Sequence, residues 1–176
     1  MTAKGLKVRS VEMRGVVRSH AEVTPLLKKT GDMALVKRGL PRLLIMVCPC
    51  GCGEQLVINL DKRAGPAWLF YNKNKKYSLY PSVWRDSGCE SHFILWDNRV
   101  LWFDYGSWWD DQEDLKLDDK VFAFFKIKRS LHYSEIADTM QEVPWEILRS
   151  CRRLAKKGLL REQKGKDNHG IFELKK

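Results

Sequence analysis

The sequence predicts an α+β chain, an antiparallel β-rich domain at the front and a smaller helical module behind it. Three observations carry this. Thirteen of the nineteen aromatic residues fall between Trp68 and Trp109, a density that belongs to strands. Short alternating or β-rich runs recur at 7–17, 34–38, 42–47, 55–60, 68–71, 77–80, 92–96 and 100–103, punctuated by Gly, Pro, Asn and Asp. Behind residue 120 the apolar spacing becomes helical, with Ile147, Leu148, Cys151, Leu154 and Ala155 recurring on one face. With 176 residues, 44% hydrophobic and 31% charged, the chain has the composition of a packed fold of one or two small domains, which excludes a large multidomain enzyme. Its longest apolar run, 43–48, falls far short of the roughly 20 residues that cross a bilayer, and the start lacks a secretory signal. The expectation is a cytoplasmic protein without membrane contact.

Charge divides the chain where the aromatics do. Net charge is +5 over 1–30, +2 over 31–110, −4 over 111–119 and +7 over 120–176. The boundaries predicted are therefore a β-rich domain at 1–110, an acidic linker at 111–119 and a basic module at 120–176. The overall +10 points to a polyanion or an acidic partner. In the front domain, Asp97-Asn98 is a two-residue hairpin turn between the runs 93–96 and 99–103, and only 20–29 reads as helix. Trp68, Trp84, Trp96 and Trp102 are expected in the core, whereas the adjacent Trp108 and Trp109 suit a docking surface or an exposed patch.

Four of the five cysteines form two groups, Cys48-Pro-Cys50-Gly-Cys52-Gly and Cys89-Glu-Ser-His92. In a reducing compartment, thiols at this spacing beside a Cys-x-x-His are metal ligands more often than disulfide partners, and two loops together offer a tetrahedral sulfur and nitrogen set to Zn2+. Five candidates, Cys48, Cys50, Cys52, Cys89 and His92, compete for four positions. A closed site is structural; an open one permits hydrolysis, with Glu54, Asp86 or Glu90 as proton acceptor. Two alternatives stand beside zinc: buried thiols without metal, and a cysteine nucleophile paired with His92. Cys151 falls on the apolar helical stripe and is assigned to the core.

The blocks Cys48-Pro-Cys-Gly-Cys-Gly-Glu54, Pro81-Ser-Val-Trp84 and Gly88-Cys-Glu-Ser-His-Phe93 resemble, in this order, those of an uncharacterised domain-of-unknown-function family of small bacterial and phage proteins. The resemblance covers about 34–105. It implies a zinc-binding β domain without established activity, some of whose relatives lie beside ubiquitin-like conjugation genes.

The back module is expected to hold three short helices, a strand, a basic loop at 163–169 and a returning strand, which resembles a winged helix-turn-helix. Pro144 suits a first helical turn and Gly158 a helix end. Arg149, Arg152, Arg153, Lys156 and Lys157 are expected to face away from the apolar stripe, with Lys164 and Lys166 extending from the wing as phosphate contacts. The full expectation is a zinc-stabilised β-rich domain joined to a winged helix, without enzymatic activity, binding nucleic acid (DNA ahead of RNA) through that module and the basic N-terminal arm. One alternative is a protein-protein adaptor in a bacterial ubiquitin-like conjugation or defence system. Another is a metal-dependent hydrolase.

Overall fold

The computed structural model describes residues 6–103, 114–165 and 168–175. They form two compact units, 6–103 and 114–175. The architecture is mixed α and β, rich in strands, with three helices among the described residues.

In the first unit β1 (Glu12–Val17), β2 (Asp32–Arg38), β3 (Leu40–Val47) and β4 (Gln55–Asn59) form one sheet in that order. The β2/β3 and β3/β4 pairs are antiparallel. The pairing of β1 with β2 is parallel, which corrects the expectation of a purely antiparallel domain. Buried Asp32 ties the two strands, accepting from Arg14 Nε at 2.7 Å and from the N–H groups of Lys28 and Lys29 at 2.8 Å each. β2 and β3 read as continuous apolar runs because the sheet is covered on both faces. Met33, Leu35, Leu44 and Met46 face one core, and Ala34, Val36 and Ile45 pack with Val23 and Leu27 on the other. Of the predicted helix at 20–29, a 3-10 turn at His20–Glu22 forms.

The hairpin β5 (Leu69–Lys73) and β6 (Lys76–Tyr80) and a second antiparallel sheet, β7 (Val83–Trp84), β8 (His92–Trp96) and β9 (Arg99–Trp102), complete the unit. Asp97 and Asn98 turn β8 into β9 with φ of 51° and 65°, the mirror-image turn that matches strand twist. Leu79, Val83, Phe93, Leu95 and Trp102 close the main core against the first sheet, and Cys48 lies among them. Burying each such side chain contributes about 1.5–3 kcal/mol.

The second unit holds α1 (Leu115–Ile127), β10 (Ser130–His132), α2 (Tyr133–Met140), α3 (Pro144–Lys156), β11 (Leu160–Glu162) and β12 (Ile171–Leu174), with the strands in the order β10-β12-β11. The acidic stretch is not all solvated: Asp114 caps α1 through Leu117 N–H at 3.0 Å, and Asp118 is buried. Residues 111–113, Trp108 and Trp109 lie outside the described residues. Among the described residues no helix is long and apolar enough to cross a membrane.

Candidate functional site

The turn from β3 to β4 is a thiol knuckle. Cys48 N–H donates to the Glu54 carbonyl at 2.8 Å and Gly51 N–H to the Cys48 carbonyl at 3.2 Å, closing the loop on itself. Gly51 and Gly53 take φ of 82° and 81°, which a side chain would oppose, and this lets three cysteines converge. Cys89 arrives from the loop between β7 and β8. The sulfurs of Cys48, Cys50, Cys52 and Cys89 all lie within 4.8 Å of one another, with Cys48 to Cys50 at 3.3 Å and Cys48 to Cys89 at 3.7 Å. Sulfurs placed tetrahedrally at 2.3 Å from zinc stand about 3.8 Å apart, so the set fits a closed four-thiolate site.

The surroundings suit sulfur anions on one side and enclose them on the other. Ser91 is buried with its hydroxyl 3.0 Å from Cys89 Sγ and 3.7 Å from Cys48 Sγ. Arg85, ion-paired to Glu54, donates to Cys89 Sγ at 3.4 Å. Burial pushes the Cys48 and Cys52 thiols up. Burial acts on Cys89 as well, but hydrogen bonds from the Ser91 hydroxyl and backbone N–H outweigh it and bring that thiol down to about 6. A divalent cation would offset half the charge of four thiolates, and the Arg85 guanidinium lies beside Cys89 to offset part of the remainder.

His92, the fifth candidate ligand, faces elsewhere. Side chains alternate along a strand, so Ser91 and Phe93 point inward while His92 points to the other face. There its Nε2 stands 3.1 Å from the Ser82 hydroxyl. The imidazole is stacked on Phe103, with ring centres 3.7 Å apart and 10° between planes, and Trp84 leans on it at 5.9 Å. Trp84 pairs with His92 across β7 and β8, and Ser82, two residues earlier, falls on the same face. The indole N–H of Trp68 holds the Ser82 carbonyl at 3.3 Å. Partial burial lowers the His92 pKa, so the ring is neutral at pH 7 and able to accept a proton. Trp84 was expected in the core and is instead 69% exposed, whereas Trp96 and Trp102 are buried. A hydroxyl within hydrogen-bond reach of a neutral imidazole is the geometry of an activated nucleophile. Neither Ser82 nor its pairing with His92 emerges from the residue pattern, although both residues fall in the quoted blocks.

The carboxylates considered as proton acceptors sit apart from any such pair: Glu54 is engaged by Arg85, and Asp86 and Glu90 are exposed. In the second unit part of the basic face is neutralised from within. Arg153, expected to face outward, is buried and donates to Asp118 at 2.6 Å, which also accepts from Ser150 at 2.6 Å. Lys157 lies 3.6 Å from the same carboxylate and Arg152 3.7 Å from Glu162. Arg149 is half-buried, Lys156 and Lys164 are exposed, and Lys166 lies outside the described residues.

Residues 19–103 match the model of a family described as bacterial ubiquitination-like system serine protease (BubE). The match spans both cysteine groups, Ser82 and His92. BubE is thus described as an enzyme with a serine nucleophile, and this overturns the expectation of a non-enzymatic nucleic-acid-binding protein. The link to a bacterial ubiquitin-like system, given above as the alternative, agrees with the BubE description. No curated protein and no solved structure matches the chain.

Proposed function

We propose that this protein is a serine protease of a bacterial ubiquitination-like system, with Ser82 as nucleophile and His92 as its base. The single observation that carries the reading is the 3.1 Å contact of Ser82 Oγ with His92 Nε2 inside the stretch that matches BubE. His92 takes the hydroxyl proton as Ser82 Oγ attacks the substrate carbonyl, then returns it to the departing amine, leaving an ester on Ser82. The same base draws a proton from water, whose oxygen cleaves that ester and restores the hydroxyl. Phe103 and Trp84 fix the imidazole plane. Cys48, Cys50, Cys52 and Cys89 would hold Zn2+, which in a closed thiolate site supplies a cross-link between two loops and no open coordination position. Ser91 connects that cross-link to β8, and β8 presents His92.

The second unit, beyond the matched stretch, is read as a winged helix that engages a protein partner of the system. Internal pairing of Arg152, Arg153 and Lys157 takes up part of the positive charge at and just beyond α3, which favours a protein over phosphate. The test is incubation of the purified protein with the system's ubiquitin-like protein carrying a C-terminal extension, followed by mass spectrometry. Release of the extension by the parent chain and none by Ser82→Ala is expected. Equal release by both would refute the assignment of Ser82.

A further inference from the structure

The strand that follows Ser82 is two residues long, Val83 buried and Trp84 exposed. β7 is the edge of its sheet, and among the described residues no strand pairs with its outer side. The hydrogen-bond pattern tells which residue offers its peptide groups there. Arg85 N–H donates to the Ser91 carbonyl at 2.9 Å, while the His92 carbonyl accepts from the N–H of Phe103, just after β9, at 3.4 Å. In an antiparallel ladder such bonds alternate, so Trp84, opposite His92, turns its N–H and C=O away from β8 toward the open edge. One residue of free edge, two positions from the nucleophile, carries the most exposed tryptophan among the described residues.

We propose that β7 is the rail on which the polypeptide to be cut is laid, an extended segment pairing antiparallel with Trp84 so that its scissile carbonyl comes opposite Ser82. This rests on Ser82 being the nucleophile. Directly paired residues share a face, and antiparallel strands run in opposite senses. The substrate residue opposite Trp84 therefore lies two positions before the one whose carbonyl is attacked, and its side chain falls on the Trp84 indole, on the His92 side of the sheet. An apolar or aromatic residue gains contact there, and a carboxylate is set against the electron-rich ring face. The segment must be extended and unpaired over at least these three residues, because it gives its own N–H and C=O to Trp84. Flexible tails and linkers meet that condition; strands already paired on both sides do not. The substrate class is thus an extended, unstructured polypeptide segment with an apolar residue two places before the cleaved residue.

The test uses the intact protein with a randomised library of quenched fluorescent octapeptides, alongside labelling by a small fluorophosphonate, which reaches Ser82 without needing an edge strand. The best peptides should carry an apolar residue two places before the cleaved residue. N-methylation of that residue's amide should lower kcat/KM at least tenfold, and N-methylation one residue later, where the amide points away, should change it less than threefold. Trp84→Ala should lose the preference for an apolar residue at that place. Labelling without cleavage of any library peptide would overturn the proposal, as would cleavage indifferent to N-methylation and to Trp84. Failure of the parent chain to be labelled would instead remove Ser82 as nucleophile.

Discussion

Ser91 and His92 are neighbours in sequence, yet they stand on opposite faces of one strand and serve opposite ends. The Ser91 face is closed: a buried hydroxyl against two sulfurs, four thiols drawn together, and a guanidinium beside them. The His92 face is open, with a half-exposed imidazole between two aromatic rings, a serine within proton-transfer reach and an exposed indole. The difference teaches how a small β unit combines rigidity with chemistry. On the proposed function, a metal held by the four thiols would cross-link the closed face, and the same stretch of backbone would position the open face for a substrate. A thiolate site alone would be consistent with a purely structural domain; the geometry on the opposite face makes the unit a candidate enzyme.

The comparison can be broken most forcefully from the closed face. Chelation, or Cys89→Ser, should release one equivalent of zinc and unfold the first unit, since structural zinc sites contribute on the order of 10 kcal/mol to folding. Metal analysis beside circular dichroism checks this, and peptidase activity should decline in step with unfolding. Activity lost at once from a folded protein would place the metal in the chemistry and merge the two faces. From the open face, Ser82→Ala should lower turnover by at least about a thousandfold while zinc content and melting temperature stay as in the parent chain.

Away from both faces, Asp118→Ala removes the buried carboxylate that Arg153 and Ser150 bond to and should destabilise the second unit by about 3–5 kcal/mol, measured by urea unfolding, with zinc content unchanged. The Asp118 carboxyl meets opposing effects: burial raises its pKa, and the bonds from Arg153 and Ser150 lower it further than burial lifts it. Because the folded pKa lies below the unfolded value near 3.8, its stabilisation is complete above that value and is lost as pH falls through the folded pKa. The smallest effect is the acid limb of kcat/KM. Burial holds His92 below its ordinary 6.5, so the base stays unprotonated at pH 7 and activity should fall with a midpoint under 6.5. A midpoint at or above 6.5 would place His92 in a different environment from the one described.

The strands and the thiol cluster are legible in the sequence because their signals are local. Aromatic and β-branched runs mark β8 and β9, the Asp97-Asn98 turn announces its own geometry, and thiols one residue apart beside two glycines can converge without help from the rest of the chain. Ser82 and His92 are joined instead by the pairing of a two-residue strand across the loop 85–91, which leaves no periodic trace. The exposure of Trp84 follows from the same edge position, so composition alone assigns it wrongly to the core. Arg153 misleads for a related reason. Helical periodicity counts it polar, and only the arrival of Asp118 from another helix gives α3 a second buried side.

The central claim, that Ser82 is a nucleophile activated by His92, is tested most directly by treating the zinc-loaded protein with a fluorophosphonate and locating the adduct by peptide mass spectrometry. A single adduct on Ser82, formed at least a hundredfold more slowly in His92→Ala of unchanged fold, is the predicted result. An unmodified Ser82 in the folded protein, or labelling at the same rate without the imidazole, would contradict it.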